Sequence, residues 1–223
     1  MNGTTVDIIS SDPQEPIIIV KGSNIDVALS MMKNINTEDP SFNQENHMLV
    51  IDNSFSPTVY KKCGDIDVEN NSKIKDSCDQ AICIAARFCH SYGNEELGKV
   101  LNESIGRKYW KGPSIIVYGD GGGMSVHNDR GEVDSETGLP TRDGFLVTTN
   151  LGLTCHFNFE TRKGHKSTIS VPSGSILIFD EILTKHAIHS IIPDSCPKYL
   201  IKKYPSLSRN RLSIICRQSL KKI

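Results

Sequence analysis

The sequence predicts an α+β protein with a mainly β core, a jelly roll of the double-stranded β-helix type, with helices from the N-terminal half packed outside. Two observations carry that prediction. After Pro113, eight short apolar or alternating runs are separated by turn residues, with no competing helical period, which is the pattern of a sandwich or barrel. Before it, residues 70–110 keep apolar side chains at helical spacing, and helices that precede a β-rich region usually pack on the outside of a sheet.

The elements follow in order. Pro16 to Val20 reads as a short strand, and Asp26 to Ile35 as a helix that Ser23 or Asn24 can cap. His47 to Ile51 reads as a second strand, followed by turn-rich Asn53 to Thr58. Ile74 to His90 carries Cys78, Ile82, Ala85, Ala86 and Cys89 on one helical face and stops before Gly93. Asn94 can cap a second helix with the stripe Leu97, Val100, Leu101 and Ile105. The strands are then expected at Ser114–Tyr118, Met124–Asn128, Phe145–Gly152, Thr154–Phe159, Ser167–Val171, Ser175–Phe179, Ala187–Ile192 and Arg211–Arg217. The link Gly119-Asp-Gly-Gly-Gly123 lacks a following Gly-Lys-Ser/Thr, so it reads as a flexible loop and not as a phosphate-binding P-loop.

Composition narrows the class. The 223 residues can bury a full core, and 37% hydrophobic with 23% charged residues is ordinary for a soluble globular protein. No apolar stretch reaches the length of a membrane span, and Met1 to Ser10 lacks the layout of a secretion signal. Seven cysteines, none in a C-x-x-C pair, point to a reduced protein without a zinc knuckle. An intracellular location, cytoplasmic or nuclear, is therefore expected, with no membrane partner. The net charge of −1 hides an asymmetry, with −6 over residues 1–60 and +5 over residues 61–223. From Lys198 onward there are eight Lys or Arg and no Asp or Glu. Such a segment fits either a phosphate-bearing substrate or a solvated tail.

One constellation carries chemistry. His127 and Asp129 are two apart and share a face of a strand, with Asn128 pointing away. A third ligand must come from a distant strand; His189, sixty-two residues after His127, is preferred because His-Ser-Ile-Ile-Pro resembles a strand end entering a turn. His186 is expected in a loop or behind the ligands. Two imidazoles and a carboxylate suit non-haem ferrous iron with open coordination positions. Arg211, Ser213, Ile215 and Arg217 fall on one face of the last strand, and inward arginines are costly unless they meet anions. A dicarboxylate such as 2-oxoglutarate beside the metal would supply them. Arg209 shares the parity but precedes the apolar run. Tyr118, at the end of an apolar strand, can hydrogen-bond the same cosubstrate.

Over residues 113 to 218 these segments resemble the AlkB-like Fe(II)/2-oxoglutarate-dependent dioxygenases. Tyr118-(x)8-His127-x-Asp129 is similar to that family's cosubstrate tyrosine and first two metal ligands. Asn150-Leu-Gly-Leu-Thr-Cys-His-Phe-Asn-Phe159, Gly174-Ser-Ile-Leu-Ile-Phe179, His189-Ser-Ile and Arg211-x-Ser213-x-x-x-Arg217-Gln218 are similar to its further elements. The resemblance implies Fe(II) on His127, Asp129 and His189, and 2-oxoglutarate held by Tyr118, Arg211, Ser213 and Arg217, with Arg211 on the distal carboxylate. It also implies O2 as oxidant. The chain departs from the pattern at Ile116, Ser213, Ile215 and Gly131, the last where repair members place an acidic residue against the base; Glu132 is adjacent.

The implied reaction is oxidative demethylation of N-alkylated bases in DNA or RNA, as in DNA repair, releasing succinate, CO2 and formaldehyde. A base in a duplex would have to be flipped out. The resemblance divides the chain into an N-terminal extension, 1–110, with short strands, a substrate lid near Asn53 to Asn71 and two supporting helices, and a core, 111–223, within one structural unit. Hydroxylation or demethylation of protein side chains is the alternative, followed by an inactive metal-binding barrel or a cupin-like protein without 2-oxoglutarate.

Overall fold

A computed structural model describes residues 4–22, 49–51, 54–56, 58–62, 68–105, 109–119, 122–128, 144–180 and 184–219. The helix expected at Asp26–Ile35 lies outside the described residues, as do Asp129, Gly131 and Glu132. In chain order the strands begin with β1 (Thr5–Ser10), β2 (Ile17–Lys21), β3 (Leu49–Ile51), β4 (Ser54–Ser56) and β5 (Thr58–Lys62). Helices α1 (Val68–Ser91) and α2 (Glu95–Ser104) follow. Next come β6 (Tyr109–Tyr118), β7 (Met124–His127), β8 (Phe145–Gly152), β9 (Thr154–Glu160), β10 (Lys166–Val171), β11 (Ser175–Asp180) and β12 (Lys185–Ile192). A short helix α3 (Lys198–Lys203) and a 3-10 turn (Pro205–Ser208) lead into β13 (Arg211–Ser219).

The expected jelly roll is the observed architecture. The larger antiparallel sheet runs β1-β2-β11-β8-β13-β6-β5 and the smaller one β10-β9-β12-β7. Strands from both sides of residue 110 therefore bond within one sheet. Between the two sheets lies an apolar layer that includes Ile17, Ile19, Leu177, Phe157, Phe179 and Ile188. On the outer face of the larger sheet, α1 and α2 cover a second layer with Ile18, Val20, Val147, Ile178 and Ile214. Burial on both faces explains why Ile17-Ile-Ile-Val20 and Ile176-Leu-Ile-Phe179 are continuous apolar runs and do not alternate. Each such side chain, fully buried, contributes about 1.5–3 kcal/mol.

Small residues let α1 approach the sheet: Cys78, Ala81, Ala85, Ala86 and Cys89 are all buried there. The helix ends at Gly93, whose φ of 77° is the left-handed conformation that closes a helix. Asn94 occupies the cap position of α2, but its side chain makes no capping hydrogen bond; acidic Glu95 and Glu96 in the first turn favour that end instead. At the end of β8, Gly152 has φ 85°, and a Cβ there would lie 2.2 Å from the Asn210 carbonyl oxygen. Only glycine fits that corner, which sets the start of β13 against β8.

Of the segment expected as a lid, 58–62 forms β5 on the edge of the larger sheet beside β6, and 54–56 pairs with β3. Among the described residues, no helix is long and apolar enough to cross a membrane.

Candidate active site

The site forms between the sheets because β13 places alternate residues inward. Arg211 pairs with Tyr118 and Gly152, and Ser213 with Ile116 and Asn150. Arg211, Ser213, Ile215 and Arg217 all line one cavity of about 310 Å³. The opposite wall comes from the smaller sheet, with His127 and Met124 on β7, Phe157 on β9, and His186 and Ile188 on β12. Tyr118 and Asn150 complete the end near Arg211.

Arg211 is 1% exposed and lies deep in this cavity. Its Nη1 donates to the carbonyls of Leu153 and Val171, both at 3.2 Å. Its Nη2 donates to Asn150 Oδ1, which also accepts from Ser213 Oγ at 3.2 Å. The Asn150 amide is fixed from its other side, where Nδ2 donates to the carbonyls of Thr148 (3.0 Å) and Ser175 (3.3 Å). A guanidinium has five N–H donors, and these three bonds leave two. One is Nε–H, which is buried without a partner. Among the described residues no carboxylate forms an ion pair with Arg211. A buried guanidinium with no carboxylate partner among the described residues and two donors left over has the chemistry to receive a carboxylate. Burial pushes the Cys155 thiol up, and the Arg211 charge nearby pulls it partly back.

At the other end of the cavity two imidazoles meet. His127 pairs across the strands with His186, and their ring centres are 4.3 Å apart at a tilt of 55°. Phe179 stands edge-on to His186 at 4.8 Å and Phe157 stacks on it at 5.8 Å. His186 Nδ1 lies 3.1 Å from the Thr184 carbonyl oxygen. A carbonyl only accepts, so Nδ1 carries the hydrogen and Nε2 is the ring's acceptor, the nitrogen able to coordinate a metal.

His186 is thus corrected from a loop residue to a buried strand residue, 6% exposed, facing the cavity. The reason is a register shift. Ile188 pairs with Phe157 but Ser190 with His156, leaving His189 as the extra residue of a bulge. Alternation therefore turns His186 and Ile188 inward before the bulge and resumes with Ile191 opposite buried Cys155 after it. The backbone of His189 is described; its side chain and all of Asp129 lie outside the described residues. Asn150 is the other residue the sequence reading did not single out. The signal was present, since a buried polar residue inside an apolar strand needs partners.

The basic segment also changes meaning. From His186 to Ile192, β12 covers roughly 20 Å toward the Arg211 end, and Lys198, Lys202 and Lys203 follow on α3 after a turn past that end.

No family model matches the chain. A curated relative, the tRNA demethylase abh1 of Schizosaccharomyces pombe (strain 972 / ATCC 24843), is 32% identical over 130 residues, 54% of this chain and 41% of that protein. The chain thus spans less than half the length of the curated relative it matches. Among solved structures, that of OsALKBH1 matches with a TM-score of 0.50 at 20% identity, over 66% of this chain and 65% of that one. A Pseudomonas putida prolyl-4-hydroxylase gives 0.48 at 12% identity, over 99% and 94%. Fold and cavity define a jelly-roll protein with paired imidazoles and a buried guanidinium facing one space.

Proposed function

We propose that the protein is an Fe(II)/2-oxoglutarate-dependent dioxygenase that oxidatively demethylates N-alkylated bases in nucleic acid. The observation that carries this reading is Arg211, a buried guanidinium with donors to spare, in the same cavity as His127 and His186. The donor chemistry fits the group: imidazole nitrogens suit iron, and a fork of N–H donors suits a carboxylate. His127, Asp129 and His186 would hold the metal, so His186 takes the place first given to His189. Arg211 would bind the distal carboxylate of 2-oxoglutarate, with Tyr118 and Ser213 beside it and Arg217 at the metal end. When bound, iron with 2-oxoglutarate and O2 supplies oxidation of a C–H bond, which on an N-methyl group yields formaldehyde and the free amine.

The chain's own residues do the rest. Asn150 and the carbonyls of Leu153 and Val171 orient Arg211. The Thr184 carbonyl holds His186 in the coordinating tautomer. Phe157, Phe179, Leu146 and Ile188 keep water from the reacting centre. Nucleic acid as substrate rests on similarity to a protein named a tRNA demethylase. Purified protein loaded anaerobically with Fe(II) should release succinate and formaldehyde from a methylated oligonucleotide. Release from methylated peptides alone would move the substrate to protein side chains, and no 2-oxoglutarate binding at all would end the oxygenase reading.

A further inference from the structure

We infer that a second groove, on the outer face of the smaller sheet beside the imidazole end of the cavity, binds the phosphodiester backbone that flanks the target base. The inference rests on the nucleic-acid reading above and adds where the strand lies. The groove, about 360 Å³, shares His186 with the catalytic cavity and is bordered by Val126, Asn158, Glu160, Lys166 and Lys185. A strand lying in it would be held within reach of the metal ligands. By contrast, the lysines of α3 follow the far end of β12, roughly 20 Å of strand from His186.

Register explains the surface. Lys166 pairs with Glu160 and Glu160 with Lys185, so two lysines flank one carboxylate in a single cross-strand row. Their backbones are two strand spacings apart, roughly 10 Å. One row further in, Thr168 Oγ1 donates to Asn158 Oδ1 at 2.8 Å. That bond commits the amide oxygen and leaves the Asn158 Nδ2 hydrogens to donate into the groove.

The charge is available. Lys185 is exposed, with no ion pair among the described residues. Lys166 contacts Glu160 at 3.3 Å with 71% of its side chain exposed, and a pair so open is held weakly. A phosphate can therefore draw Lys166 away at small cost. Val126, 65% exposed beside His127 on β7, adds an apolar step at the edge of the groove against which a base or sugar can rest.

Binding of a short fluorescein-labelled, unmethylated single-stranded oligoribonucleotide to the full chain, followed against salt, tests this. Each of Lys166→Ala and Lys185→Ala should weaken binding for any base sequence and lower the slope of log K against log salt by about 0.7. Glu160→Gln, which removes the competing carboxylate, should tighten binding. 2-Oxoglutarate binding by calorimetry should stay unchanged in all three. If the wild-type chain binds and both lysine variants keep its slope, the groove assignment is overturned while the nucleic-acid reading stands. Loss of 2-oxoglutarate binding in the lysine variants would also overturn it, because the lysines would then act through the catalytic cavity. No binding by the wild-type chain at low salt would overturn both.

Discussion

Replacing Arg211 by lysine keeps the charge and removes the geometry, which makes it the sharpest probe of the cavity. The protein takes three of the five guanidinium donors, through Leu153, Val171 and Asn150, and leaves two for a ligand. An ammonium has only three donors. Lysine can satisfy the three protein acceptors and offer nothing to a carboxylate, or turn to the carboxylate and orphan buried acceptors. Hydrogen bonds to charged groups contribute about 1.5–3 kcal/mol each. Two are at stake, and the retained charge offsets part of the loss. The expected penalty in 2-oxoglutarate binding is about 2–4 kcal/mol, or roughly 30- to 700-fold in Kd. Calorimetric titration of the Fe(II)-loaded variant measures it, with the melting temperature as a check on folding. A folded Arg211→Lys protein whose Kd stays within about threefold of wild type would refute the donor count, because so small a change is below the contribution of one such bond.

Two further outcomes are expected. His186→Ala should weaken Fe(II) binding well beyond the roughly 10–100-fold that an outer partner contributes, whereas His189→Ala should leave it intact; the reverse result would restore His189 to the ligand set. Burial raises the Asp79 carboxyl, the Asp76 charge adds to that, and the Trp110 indole, which donates to Asp79 Oδ1 at 3.0 Å, opposes it. A carboxyl raised on folding contributes stability below its ordinary value that is lost as pH rises through the raised one. Asp79→Asn keeps the acceptor for Trp110 and removes the charge, so it should melt slightly higher than wild type at pH 7 and converge with it below about pH 3.8. A variant that melts lower at neutral pH would show that the charge is stabilising.

The β core was legible because its strands are short, separated by turn residues and apolar on at least one face. Phe145–Gly152 was read to the residue, and the strands at Thr154, Ser175 and Arg211 begin where expected. β1 escaped because Thr-Val-Asp-Ile-Ile-Ser is an edge strand of mixed polarity with an irregular register near Ile8. α3 has six residues, too few for a helical period to declare itself. His186 was placed in a loop or behind the ligands because a β-bulge leaves no mark in the sequence; the register shift at His189 is what turns His186 toward the cavity. The Asn150 network was hidden for a different reason. Its partners, Arg211, Ser213 and Ser175, come together only when β8 is paired on both sides.

The distribution of positive charge separates two roles that the sequence presents as one basic C-terminal stretch. Arg211 is buried among carbonyl and amide oxygens, where a charge is retained only if an anion or equivalent partner completes it. Lys198, Lys202 and Lys203 are exposed on a helix past the same end of the sheet, where water satisfies them. Charge count alone gives them equal weight; burial does not. At the imidazole end, the exposed cations that border the groove among the described residues are Lys166 and Lys185, thirteen and more residues earlier in the chain than the basic tail. They become neighbours of His186 only because β10, β9 and β12 lie side by side. If the proposed groove holds a phosphodiester backbone and Arg211 a carboxylate, the two tasks fall to different strands, β10 and β12 for the backbone and β13 for the carboxylate, and can be altered separately.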